Sequence, residues 1–377
     1  MPHRATKRGA ARTPFAPGAD ADVLVCGASF AGLAVARELR AAGARVLVLD
    51  RYEVGERQTS ACAAPTEWLR ALGLEGSVRQ TFGSLLVHTP RVRARWALPW
   101  TFSTFDYRTL CGELFSQGTA AFDVAKVNGR TGSVVHTDRG DVSAPLVVDA
   151  LGWRRVLGLG ENVQPPEATL SRGLEVHPGG AGEDLELWID PRYVDAGYGW
   201  SFPARDELRI GVGSFDPYDH VKEPTLRLVA DVDAEAVRYQ GNWIPHRLRP
   251  ATEGGVFFAG DSAGHCLPLT AEGIRTALYF GIACGRELAA VLAGERLREE
   301  ALRRYHAFSA AHRVKFECML AAQRAVRHLH GRPMDALVRA FSRRGPAGWA
   351  FRHYLDIAPP SFALPAPPRA AAVRRAA

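Results

Sequence analysis

Several things are scarce in this 377-residue chain, and each scarcity narrows what it can be. No apolar run approaches the ~20 residues that a membrane-spanning helix needs. The first twenty residues are basic and lack the apolar stretch of a secretory signal. The six cysteines, Cys26, Cys62, Cys111, Cys266, Cys284 and Cys318, are scattered. Their spacing fits neither a metal site nor a dense disulfide framework, so no metal is expected and a reducing cytoplasm is the expected location. No nucleic-acid-binding module is visible, and a net charge of +7 alone does not imply a nucleic-acid partner. Lysine is nearly absent, with 4 against 43 arginines, a bias that a GC-rich genome produces. The charge is uneven. From Ala301 onward 14 Lys/Arg face 3 Asp/Glu, which leaves room for a peripheral contact with an anionic membrane surface.

What is present starts at Asp22 with DVLVCGASFAGLAVARELRAAGARVLVLD. Val23 to Cys26 has the pattern of a strand buried on both faces, and Arg45 to Leu49 repeats it. Between them Gly27, Ala28, Ser29, Phe30, Ala31 and Gly32 form a tight turn into a helix. Asp50 and Arg51 follow the second strand. A glycine-rich turn between strand and helix, with an acid after the next strand, is a dinucleotide fingerprint. Gly27 permits the turn, Gly32 permits close helix packing, and Asp50 can accept hydrogen bonds from a ribose. Ser29 stands where the middle glycine is usual.

Beyond Asp50 a short helix is predicted over Pro65–Leu72, a strand pair over Phe82–His88 and Arg91–Ala97, and a helix capped by Asp106 and reaching Ser116. Short alternating runs with many aromatics between about 168 and 250 predict an antiparallel sheet. The buried-strand pattern returns at Val256–Ala259, followed by a long helix over Glu272–Leu292 and further helices at about 298–329 and 333–343.

A second motif, Gly260-Asp261…Pro268…Gly273-Ile274, follows the returning strand. An acid in such a turn can bond a ribityl chain, and a helix beginning at Gly273 can stabilise charge on a reduced ring. An N-terminal fingerprint paired with a late Gly-Asp motif resembles the flavoprotein hydroxylase and reductase superfamily. The resemblance implies FAD as resident cofactor, and an arginine at the position of Arg108 that helps hold it. It also implies an α/β fold: a Rossmann-like FAD-binding domain (21–80, 100–165 and 250–295) with an inserted antiparallel-sheet substrate domain (81–99 and 166–249). C-terminal helices (296–360) complete it, with disordered tails expected at 1–20 and 361–377.

Within that superfamily, Gly197-Tyr198-Gly-Trp200-Ser-Phe202-Pro203 followed by Gly211-Val-Gly213 resembles the geranylgeranyl reductase family. On a strand Tyr198, Trp200 and Phe202 share one face, forming either an aromatic wall for an apolar substrate or an ordinary sheet core. Cys62 sits where that family carries a cysteine; a thiol there donates a proton, shapes the pocket, or is simply buried. Cys266 and His265, next to the predicted flavin, are rivals. Leu151-Gly152 replaces the Asp-Gly common in this superfamily, which weakens a claim about pyridine-nucleotide docking. The reductant is therefore NAD(P)H bound transiently or a separate electron-donor protein.

The expected function is reduction of a carbon–carbon double bond in a prenyl-type or other apolar small-molecule or lipid substrate. A likeness to tryptophan halogenases keeps flavin-dependent monooxygenase or halogenase chemistry as the first alternative. A non-catalytic flavin- or lipid-binding protein is the second.

Overall fold

The computed structural model describes residues 7–58, 60–160, 163–329 and 331–364. The predicted first unit forms as β1 (Val23–Cys26), α1 (Phe30–Glu38) and β2 (Val46–Asp50). β3 (Ala63–Pro65) and α2 (Thr66–Ala71) follow, then a long hairpin of β4 (Val78–His88) and β5 (Arg93–Phe105). α3 (Tyr107–Ser116) begins on Asp106, whose side chain accepts the Thr109 N–H at 2.8 Å. β6 (Ala121–Val124) leads to a small meander, β7 (Val127–Thr131), β8 (Val134–Thr137) and β9 (Gly140–Ser143), and then to β10 (Leu146–Asp149).

The middle of the chain supplies β11 (Leu170–Val176), β12 (Leu185–Trp188), β13 (Gly197–Pro203), β14 (Leu208–Ser214), α4 (Lys222–Asp231) and β15 (Gln240–Pro245). β16 (Thr252–Glu253) and β17 (Val256–Phe258) return the chain to the first sheet. Five helices follow: α5 (Ile274–Leu292), α6 (Arg298–Ala310), α7 (Arg313–Val326), α8 (Arg332–Phe341) and α9 (Arg344–Leu355).

Two large sheets organise the molecule. The first runs β16-β17-β10-β1-β2-β6, parallel except for the edge strand β16. Its central strands are apolar throughout because they share one buried core with α1, α5 and the meander's Val127, Val135 and Val142, so neither strand face meets water. The second runs β15-β11-β14-β13-β12-β4-β5-β3 and is antiparallel except where β12 meets β4. On one face α4 closes a small core around Val176, Ile210, Val212 and Leu228. The opposite face looks toward the ends of the parallel strands.

Three expectations change. The hairpin is longer than the alternation predicted, extending to Val78 and Phe105. The helix expected over about 298–329 is two, α6 and α7, while α9 falls within the helical segment expected to 360. The expected tails at 1–6 and 365–377 lie outside the described residues, but the described parts of those spans are packed. Arg12 pairs with Glu53 at 2.5 Å, Arg139 stacks on Phe15, and Phe362 lies against Tyr279. No helix among the described residues is long and apolar enough to cross a membrane.

Candidate active site

The first turn is shaped by what cannot fit. Gly27 has φ +113°, and a Cβ there would lie 2.2 Å from the Ala150 carbonyl oxygen on the neighbouring strand's exit. Ser29 then precedes α1 and receives the Tyr107 hydroxyl at 3.1 Å. Asp50 closes β2 beside this turn, accepting the Ala28 N–H at 2.9 Å and the Tyr52 N–H at 3.0 Å. Burial raises its pKa.

Two further aspartates separate structure from ligand chemistry. Asp149, at the end of β10, is fully buried and fully occupied. It accepts from the Leu151 N–H, the Leu157 N–H and the Ser262 hydroxyl at 2.7 to 2.9 Å. It therefore ties the first sheet to the second motif. Asp261, in the short turn Gly260–Ala263, makes no side-chain hydrogen bond among the described residues, and burial pushes its pKa up to about 6. Half-buried at the cavity wall, this carboxylate without protein donors suits a ligand that brings hydroxyl groups.

Both turns open into one cavity of about 800 Å³. Ser29, Phe30 and Ala31 line it from the first motif, and Gly260, Asp261, Gly273 and Ile274 from the second. Tyr198, Trp200 and Phe202 line it from β13. Trp200 explains the glycines of the following strand. Its indole lies across β14 so closely that a Cβ at Gly211 would be 2.3 Å from ring atom Cζ2. The Tyr198 hydroxyl donates to the Thr270 carbonyl at 2.5 Å, fastening this wall to the loop of the second motif.

A sequence profile described as an FAD binding domain matches residues 20–89. The chain is 32% identical over 131 residues to a chloroplastic geranylgeranyl diphosphate reductase of Oryza sativa subsp. japonica, an alignment covering 33% of this chain and 28% of that one. Among solved structures it is similar to a geranylgeranyl bacteriochlorophyll reductase-like protein of Thermoplasma acidophilum, at TM-score 0.79 and 16% identity, covering 91% and 98% of the two chains. It is also similar to p-nitrophenol 4-monooxygenase of Pseudomonas putida, at TM-score 0.67 and 16% identity, covering 90% and 97%. The chain thus resembles FAD-dependent oxidoreductases in its N-terminal FAD-binding domain and in its fold. The alignments span under a third of the curated relatives' length, and the two structures establish the fold alone.

The residues around the cavity fit an FAD cofactor. Asp261 offers free acceptors, Gly27 lets strand and turn approach, and the start of α5 at Ile274 lines the same space. Gly32 packs inside α1 and Ala28 donates to Asp50, so both shape the turn rather than line the cavity. Arg51 stacks 5.0 Å over Tyr52, and Arg108 is exposed on α3, its backbone against Gly55. Pro268 acts through its carbonyl, which accepts the Gln323 side-chain N–H from α7 at 2.6 Å.

The expected proton donor is displaced. Cys62 is buried with φ +52°, and its thiol donates to the Ser60 carbonyl at 3.2 Å. Ala61 and Ala63 line the cavity while Cys62 turns away from it, and burial pushes the thiol pKa well up. Cys266 does line the cavity, again with a raised pKa. His265 lies behind it, stacked on Phe280 at 3.8 Å and bonded through Nε2 to the Ser309 hydroxyl.

Two sets of cavity residues escaped sequence reasoning. Met319, Leu337, Phe341, Phe351 and Tyr354 enclose the far end from the C-terminal helices. The apolar spacing 334, 337, 341 on α8 was the available signal. Glu175 lines the cavity from β11, a lone acid between Leu174 and Val176 in a buried strand. That isolation was the only hint.

Proposed function

We propose that this protein is an FAD-dependent reductase of carbon–carbon double bonds in a prenyl-type lipid. One observation carries the reading: the cavity passes without interruption from the two cofactor turns, over Trp200 and Phe202, to the apolar residues of the C-terminal helices. A long flexible hydrocarbon gains from such a wall, at about 0.8 kcal/mol per buried CH₂. Bound and reduced FAD supplies the hydride. The chain's own residues hold the alkene against the Trp200 face, keep water out, and provide a proton for the second carbon. The similarity to the rice geranylgeranyl diphosphate reductase and the Thermoplasma geranylgeranyl bacteriochlorophyll reductase-like protein supports the same substrate class.

The lipid enters, in this proposal, beside α8 and α9. Leu337 and Trp349 are exposed there among Arg339, Arg343 and Arg352, a combination suited to an anionic bilayer. The reductant is NAD(P)H or an electron-donor protein.

The test uses holoenzyme reduced with dithionite under anaerobic conditions and mixed with geranylgeraniol in anionic vesicles. Flavin reoxidation together with a product heavier by two hydrogens is expected. No reoxidation, with substrate-dependent oxygen consumption in air, would reject this reading in favour of a monooxygenase.

A further inference from the structure

Beneath the cavity floor lies a row of charged side chains that the cofactor motifs do not use. Glu175 is 3% exposed. Its Oε2 accepts the Trp200 indole N–H at 2.7 Å, and its Oε1 accepts the Gln240 side-chain N–H at 2.6 Å. The same Oε1 is 2.6 Å from His177 Nε2. The other ring nitrogen, Nδ1, is 3.4 Å from Glu207 Oε1. Glu207 in turn meets Arg238 at 3.0 Å, and the Arg238 side chain is 59% exposed. The row thus runs from solvent, through Glu207 and His177, to a carboxyl on the cavity wall.

Sheet geometry makes the row continuous. Residues 173, 175 and 177 share one face of β11 and its extension, as do 209 and 211 on β14, with Glu207 just before that strand bridged to Gly179. Carboxylates on both sides of His177 mean that each ring nitrogen faces an acceptor, the arrangement that suits an imidazolium. Burial pulls the His177 pKa down, but the bonds to Glu175 and Glu207 outweigh it and raise the pKa. The other groups facing the row are Arg209 from β14 and Cys62 from its loop. Arg209 is already committed, donating to the carbonyls of Ala61, Cys62 and Phe105. A purely structural ion pair needs no route to solvent and no place on a cavity wall.

We infer that Glu175 is the proton donor of the reduction and that His177 and Glu207 resupply it from solvent. The inference rests on the double-bond reading above. The hydride and its electron pair come from the reduced cofactor and form one C–H bond. His177 Nε2–H first passes its proton to Glu175 Oε1 across their 2.6 Å contact, leaving a neutral imidazole. The other alkene carbon then takes that proton from the Glu175 O–H, which restores the carboxylate. Water at Glu207 restores the imidazolium. The substrate is reduced by two electrons and the cofactor oxidised by two, so charge and mass balance. Glu175 is the catalytic residue, and His177 and Glu207 are positioning and relay residues.

Glu175→Gln keeps an acceptor for Trp200 and removes the acidic proton. With pre-reduced holoenzyme and geranylgeraniol, reoxidation is expected to slow about 100-fold or more, with FAD content and dithionite reduction unchanged. Imidazole nitrogen NMR gives a readout independent of turnover: His177 titrates above its ordinary range in the wild type and moves down in Glu175→Gln. Glu207→Gln, at the outer end, is expected to shift the pH at which reoxidation declines to lower values. Wild-type reoxidation matched by Glu175→Gln overturns this inference and leaves the reductase reading standing. Failure of the wild type to reoxidise removes both. If Glu175→Gln does not fold, an unshifted pH profile in Glu207→Gln overturns the relay.

Discussion

The two sheets carry chemistry in different places. In the parallel sheet the groups proposed to meet the cofactor sit at a strand's end or just after it: Ser29 after β1, Asp50 closing β2, Asp261 after β17. In the mixed sheet the groups sit in mid-strand, on a face: Trp200 on β13, Glu175 on β11, Gly211 on β14. The reason is geometric. Parallel strands buried on both sides leave only their ends open, whereas a sheet covered by α4 on one side alone can offer its whole other face. A turn works through local backbone shape. A face works through neighbours brought together by register.

The strongest way to break that contrast is Gly211→Val. The new Cβ would meet the Trp200 ring at 2.3 Å and the Leu174 carbonyl oxygen at 2.6 Å, so the indole must leave its trough. Turnover of an apolar substrate is expected to fall about 100-fold, as for a misplaced reacting surface. FAD content should stay near that of the wild type, because no cofactor turn is touched. Simultaneous loss of both, measured by flavin absorbance per protein, would show that the two sheets are not separable.

Asp261→Asn tests the turn side. Hydrogen bonds to a charged acceptor contribute about 1.5–3 kcal/mol, so FAD affinity should weaken about 10- to 100-fold, read by titration of FAD-free protein. The same change has an opposite effect on the empty protein. The Asp261 pKa is raised by burial from 3.8 to about 6, with Arg249 opposing. For a raised carboxyl, the stability it adds is fully present below the unfolded value and is lost as pH rises through the folded one. Above about pH 6 the ionised, unbonded Asp261 therefore costs the FAD-free fold, by about 3 kcal/mol at most. Asp261→Asn should raise the melting temperature of FAD-free protein at pH 8 and leave it unchanged near pH 3. An aspartate with only a structural role, such as Asp149, would lose stability at both.

The same contrast explains what the sequence made legible. Gly27, Asp50, Gly260 and Asp261 could be found because turn chemistry is local: a positive φ needs glycine, and a strand's end places the next acid. The shared face of Tyr198, Trp200 and Phe202 followed from alternation within one strand. The glycines opposite Trp200 could be matched to a family pattern but not explained, since their reason lies across a strand boundary. Glu175 and His177 were invisible as a pair with Glu207, which is thirty residues on and joined only by the β11–β14 register. The closure of the cavity by α8 and α9 also depends on tertiary packing, which no local pattern reveals.

Cys62 gives the smallest expected effect and the sharpest test of local against spatial reasoning. Its neighbours Ser60, Ala61 and Ala63 do line the cavity, so the loop was correctly located at the site. The side chain itself points the other way, into a fully buried niche beneath Arg209. There the raised thiol pKa keeps the S–H intact, and its proton is already given to the Ser60 carbonyl. A serine hydroxyl can make that same bond in slightly less volume, a change that typically costs about 1 kcal/mol of stability. Cys62→Ser is therefore expected to leave reoxidation of pre-reduced enzyme within a small factor of wild type, well short of the ~100-fold loss that removing a proton donor brings. Reoxidation slowed that far, with FAD content and melting temperature unchanged, would mean that the thiol reaches the substrate and that Glu175 is not the proton's source.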